Sequence, residues 1–194
     1  VHLNKVETEK LPTMGVGVVR RVDLGLFYNP DFVLKLTDHE LRAVLKHEAL
    51  HVLLHHLTRS KHFALNMRGY NIAADIVINQ NIEALPDGAL YPKTFSLPPD
   101  KSAEWYYASL KKEAGDDDDE GWTRVTDGKG DLVDDHSMWE DFDDDIVSEK
   151  VRNIAEKAIS EQEKKGWGSI NGNVVQQIMA ANKPVVNCKK EVRW

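Results

Sequence analysis

The chain has 194 residues, a hydrophobic fraction of 41% and a formal net charge of −7, enough apolar material for one substantial core. No apolar run reaches membrane-spanning length and no signal-peptide pattern opens the chain, so no membrane partner is expected. The lone Cys188 excludes an internal disulfide framework and a Cys-type zinc finger, and suits a reducing, cytoplasmic compartment. The acidic excess is local: fifteen Asp and Glu lie between Glu113 and Asp145, against only Arg124 and Lys129. The rest is mildly basic without a clustered basic face, which argues against nucleic acid as a partner.

Residues 1–12 read as a short polar lead-in or a first helix. Thr13 to Tyr28, rich in Val and Gly with partial alternation, predicts two short strands forming a hairpin around Arg20-Arg21-Val22-Asp23. Asn29-Pro30-Asp31 reads as a turn. A helix is predicted over Thr37–Arg59. Thr37 can cap it, Glu40 is placed as capping-box partner, and Leu41, Val44, Leu45, Ala49, Val52 and Leu53 recur at helical spacing with no Gly or Pro between. A second helix is expected over Met67–Leu85, stopped by Pro86-Asp87-Gly88, although its β-branched content leaves a strand as the alternative. Residues 86–100 read as a Pro-rich loop and Ser102–Lys112 as a third helix capped by Ser102. Residues 113–137 read as a solvated, mobile acidic loop. Calcium binding by Asp116-Asp117-Asp118-Asp119-Glu120 is a weaker reading, because the run lacks the spaced ligands of an EF-hand. Ile146–Lys165 and Asn173–Ala181 complete the helices. The whole reads as a single domain over 1–194, and the abrupt Val1 and Trp194 suggest a piece of a longer chain.

One motif names a chemistry. His47-Glu48-Ala49-Leu50-His51 is an H-E-x-x-H pentapeptide inside the longest predicted helix. By this chain's own composition about 0.02 such matches are expected by chance. Residues four apart share a helix face, so His47 and His51 can close on one zinc ion while Glu48 faces a zinc-bound water as general base. The bland alternative is two core histidines beside an exposed Glu. His55 continues the same row, but it lies about 12 Å of helix rise beyond His47, too far for one ion to take all three. It reads as a supporting, structural or exposed residue, and His56 as pointing elsewhere.

A catalytic zinc usually keeps three protein ligands and an open position. With Cys excluded, the best third candidate is Asp75, centre of the polar stripe Asn71, Asp75, Asn79 on the otherwise apolar second helix, with the two Asn as supports of the site. Pairing of Asp75 with Arg68, His55 or a backbone amide is the structural alternative. His136, beside Trp139, is a further candidate, either as ligand or as stabiliser of a tetrahedral intermediate, or else a surface residue. Glu104 ranks third.

The strings 47–56, 71–80 and 85–88, together with Ser102-Ala103-Glu104-Trp105-Tyr106-Tyr107 and Asp135-His136-Ser137-Met138-Trp139, resemble a family of bacterial and phage metallopeptidase domains of zincin-like type, over residues 11–194. Members commonly precede a von Willebrand factor A-like domain. The resemblance implies an α+β fold, mostly helical with a small sheet or hairpin near the N-terminus. It matches His47 and His51 to the metal ligands, Glu48 to the catalytic acid, and places Asp75 on the polar helix. The expected function is peptide-bond hydrolysis by a zinc-activated water, acting on a peptide or protein substrate, with a von Willebrand factor A-like domain or an ATPase as partner. The alternative is a metal-binding scaffold that cuts nothing. A third reading is an enzyme kept latent by the acidic stretch.

Overall fold

A computed structural model describes residues 3–115, 119–126, 139, 142–166 and 171–183. The fold is α+β, mostly helical with a small three-stranded sheet at the N-terminus. Strands β1 (Asn4–Glu7), β2 (Met14–Val19) and β3 (Asp23–Tyr28) lie in the order β1-β3-β2. β2 and β3 form the expected antiparallel hairpin, from Met14 opposite Tyr28 to Val19 opposite Asp23. Its turn puts Arg20 and Arg21 at φ 52° and 67°, a region that L-residues enter at a cost. Asp143 N–H holds the turn by donating to Arg21 O at 2.9 Å.

Residues 1–12 hold no helix among the described residues: β1 pairs parallel with β3, Asn4 opposite Gly25 to Glu7 opposite Tyr28. Its mostly exposed side chains give no alternation to read. The free edge of β3 supplies the structure. Asn29 does not simply start a turn either. It caps α1 (Pro30–Lys35), its Oδ1 accepting from Asp31 N–H at 2.9 Å, with Pro30 in the first turn where its missing N–H costs nothing.

Helix α2 (Asp38–Leu53) begins with the predicted capping box: Thr37 Oγ1 accepts from Glu40 N–H at 3.3 Å and Thr37 N–H donates to Glu40 Oε2 at 2.8 Å. It does not run to Arg59. His55 takes a left-handed conformation (φ 59°) and a new short helix, α3 (His56–Arg59), follows. The cause is distant in sequence: Asn182 Nδ2 donates to Leu53 O (3.1 Å), and His55 Nε2 donates to Asn182 Oδ1 (2.7 Å). A side chain 129 residues away thus satisfies the helix end.

A 3₁₀ stretch, Ser60–Asn66, leads into α4 (Met67–Asn79), whose Asn66 cap accepts from Gly69 N–H at 2.7 Å. The segment is helix, not strand, and Ile72 to Asn79 are all buried. It stops short of the predicted Leu85 because Gln80 and Asn81 fold their amides back onto Val77 O (3.2 and 2.9 Å), competing with the backbone ladder. Helix α5 (Ala103–Ala114) starts at the Ser102 cap and packs on α4. The acidic stretch is not all loop. Residues 119–126 form α6 (Asp119–Thr126), and its Trp122 is fully buried, stacked on Tyr107 at 5.6 Å. Residues 127–137 lie outside the described residues. Helix α7 (Asp144–Lys165) buries Val147, Val151 and Ala155, and α8 (Gly172–Ala181) buries Val174 and Ile178. No helix among the described residues is long and apolar enough to cross a membrane.

Trp122 fits because position 69 is glycine. A Cβ there would lie 2.4 Å from the indole and 2.7 Å from the capping Asn66 Oδ1. Gly69→Ala gains about 1 kcal/mol of helix propensity, but overpacking two held groups costs about 1–3 kcal/mol. Net destabilisation is expected, read as a lower urea midpoint; an unchanged or higher midpoint would contradict the close contact.

Candidate metal centre

Helices α2 and α4 pack together, and their polar residues meet inside the core. His47 Nε2 and His51 Nε2 lie 2.9 Å apart. Asp75 Oδ1 lies 3.6 Å from the first and 3.3 Å from the second. Relative exposures are 0%, 0% and 5% for His47, His51 and Asp75, so three donors converge where an apolar core would otherwise be continuous. Donor atoms around a tetrahedral zinc, with bonds of about 2.0–2.1 Å, sit about 3.3 Å apart. The three observed edges bracket that value, and the donor set of two imidazoles and a carboxylate is one zinc accepts. The residues present therefore fit a metal ion.

The nitrogen of His47 that faces away from the donors is held. His47 Nδ1 lies 2.8 Å from Asn79 Oδ1, and Asn79 Nδ2 donates to Leu90 O at 3.0 Å. The second bond fixes which way the amide faces, so its oxygen accepts from His47 Nδ1–H and leaves Nε2 with a lone pair for a metal. His51 Nδ1 lies 3.2 Å from His56 Nδ1, and its ring meets Trp139 edge-on at 5.4 Å.

Glu48 is buried, its Oε2 accepting from Val16 N–H at 2.7 Å. The Val16 carbonyl accepts from Trp139 Nε1–H at 2.7 Å. Both polar backbone groups of Val16, on the edge strand β2, are thereby engaged by side chains of the site region.

The sequence expectations divide accordingly. His47, His51 and Asp75 come together, and Asn79 supports the cluster. Asn71 does not join them: its Oδ1 is buried and accepts no hydrogen bond among the described residues. Glu104 is no part of the cluster. It pairs with Arg59, whose Nε donates to it at 3.0 Å. Burial, the largest single influence, pushes the Glu104 carboxyl up, but the charge and hydrogen bond of Arg59, together with hydrogen bonds from Ser102 and its own backbone, hold it below the usual range. His136 lies outside the described residues. His55 pairs with Asn182, away from the donors. Burial lowers its pKa against the raising effect of that bond. His56 corrects the expectation that it points elsewhere: it is buried and turned back onto His51. A continuous helix forbids that contact, so the local periodicity could not have suggested it; Trp139 is visible only as the neighbour of His136, and Val16 carries no sequence signal of a site role. His56 also lines a cavity of about 420 Å³ together with Leu54, Thr58, Arg59 and His62, and none of the three donor residues lines it.

A ligand bound only by the folded state stabilises it, by about 2.7 kcal/mol at a hundredfold excess over Kd. Zinc is expected to raise the Tm of the parent and not of Asp75→Ala. An equal rise in both, measured by calorimetry, would remove Asp75 from the site.

No curated protein and no solved structure matches the chain. Residues 15–186 match the family model described as "Putative metallopeptidase domain", which covers most of the chain, and the protein therefore belongs to that family.

Proposed function

We propose that this protein is a zinc-dependent peptidase in which His47, His51 and Asp75 hold one zinc ion and Glu48 is the general base. The observation that carries the reading is the convergence of three buried donors at tetrahedral spacing, one helical position from a buried carboxylate. Zinc bound there supplies a Lewis acid for the scissile carbonyl and lowers the pKa of a water. Glu48 takes the proton of the attacking water and passes it to the leaving amine. The Val16 N–H bond holds one carboxylate oxygen, so the side chain keeps a fixed orientation through that exchange. The substrate is a peptide or protein. His136 is retained as a candidate stabiliser of the tetrahedral intermediate. A von Willebrand factor A-like domain or an ATPase is the partner that the family resemblance suggests, and the single Cys188 favours the cytoplasm.

Replacing Glu48 by Gln is expected to lower kcat for unfolded peptide substrates by about 10²–10⁴-fold, with zinc content unchanged. Equal cleavage by parent and variant would take Glu48 out of the mechanism. If the zinc-loaded parent turns over nothing in a broad peptide library, the non-cleaving scaffold replaces the enzyme.

One observation favours a latent form of the same enzyme. An extended substrate pairing with the β2 edge needs the peptide groups of Val16, and the Trp139 indole already occupies the carbonyl while Glu48 occupies the N–H. Deleting residues 114–130 would be a poor test, because it removes the buried Trp122. Trp139→Phe is the sharper one, because it keeps a buried ring beside His51 and removes only the Nε1–H donor: a higher kcat/KM than the parent is expected at equal zinc affinity, and an equal or lower value, with folding intact by circular dichroism, would sink latency.

A further inference from the structure

We infer that His56 is a positioning residue that fixes the His51 ring for metal ligation, delivered there by the break between α2 and α3. The inference rests on reading His47, His51 and Asp75 as a metal site. When Nε2 of a neutral imidazole serves a metal, the other nitrogen carries the proton and needs an acceptor. For His47 that acceptor is Asn79 Oδ1. For His51 the group in place is His56 Nδ1, 3.2 Å from His51 Nδ1, and its lone pair accepts when the His56 proton sits on Nε2.

The backbone explains how the contact arises. In an uninterrupted helix, residue 56 would be rotated about 140° around the axis from residue 51, facing away from it. The left-handed His55 (φ 59°) undoes that rotation, and Asn182 holds the bend from both sides, accepting from His55 and donating to Leu53 O. A left-handed non-glycine residue costs free energy, and so does a buried imidazole. His56, 1% exposed, sits edge-on between His51 (5.2 Å) and Tyr70 (6.3 Å), where an apolar side chain would fill space more cheaply. What a leucine there could not supply is the acceptor.

Two variants separate the acceptor from the packing. His56→Asn keeps an acceptor oxygen close to the place of Nδ1, and His56→Leu removes it. Zinc affinity is measured by competition with a chromophoric chelator, with circular dichroism of the metal-free proteins as the folding control. The Leu variant is expected to bind about 10- to 100-fold more weakly than the parent, and the Asn variant within about threefold of it. Equal affinity of the Leu variant and the parent overturns the inference while leaving the metal site standing. If the Leu variant does not fold, long-range proton–nitrogen spectra of the zinc-loaded parent decide. A proton on His51 Nδ1 supports the assignment and its absence overturns it. A parent that binds no zinc overturns both this inference and the metal reading beneath it.

Discussion

Two imidazole nitrogens and a carboxylate oxygen pressed together inside an apolar core are the constraint around which the rest is arranged. Desolvating such groups costs several kcal/mol unless each finds a partner, and the neighbouring elements supply them. α4 brings both Asp75 and the Asn79 amide that holds His47. The loop after α4 offers Leu90 O to that amide. The end of α2 is bent so that His56 reaches His51. β2 gives a peptide N–H to Glu48. The small sheet, which contributes none of the three donors, is thereby fastened to the helix that carries two of them.

Much of this was legible before any coordinates because the relevant information is local. The capping box at Thr37 and Glu40, the i, i+4 spacing of His47 and His51, and the polar stripe on α4 are properties of single helices. Periodicity reports single helices well. Even Asp75 could be found, since a lone carboxylate on an apolar face requires a partner. What periodicity missed was set by contacts across the fold. Nothing between Thr37 and Arg59 announces a helix end, because the group that ends α2 is Asn182. β1 carries no alternation because β3 makes it a strand. The acidity of residues 113–137 hid Trp122, one large buried side chain sufficient to anchor a helix.

That anchoring ties the acidic stretch to the site. Trp122 lies against Gly69, six residues before Asp75 on the same helix. α6 packs on both α4 and α5. The segment richest in charge thus braces the helix that supplies the carboxylate donor, through a contact in which charge takes no part. Position 69 has no latitude for a larger residue, since even a Cβ there would lie 2.4 Å from the indole.

Val16 has the opposite character. What it contributes to the site comes from its peptide group: the N–H that holds Glu48 and the carbonyl that receives Trp139. Exchanging its side chain for another apolar one leaves both bonds in place. A conventional scan of substitutions would therefore score the position as a packing residue and miss its link to the Glu48 carboxylate. Only a change to the backbone itself, proline in place of valine or an ester in place of the amide, deletes the donor.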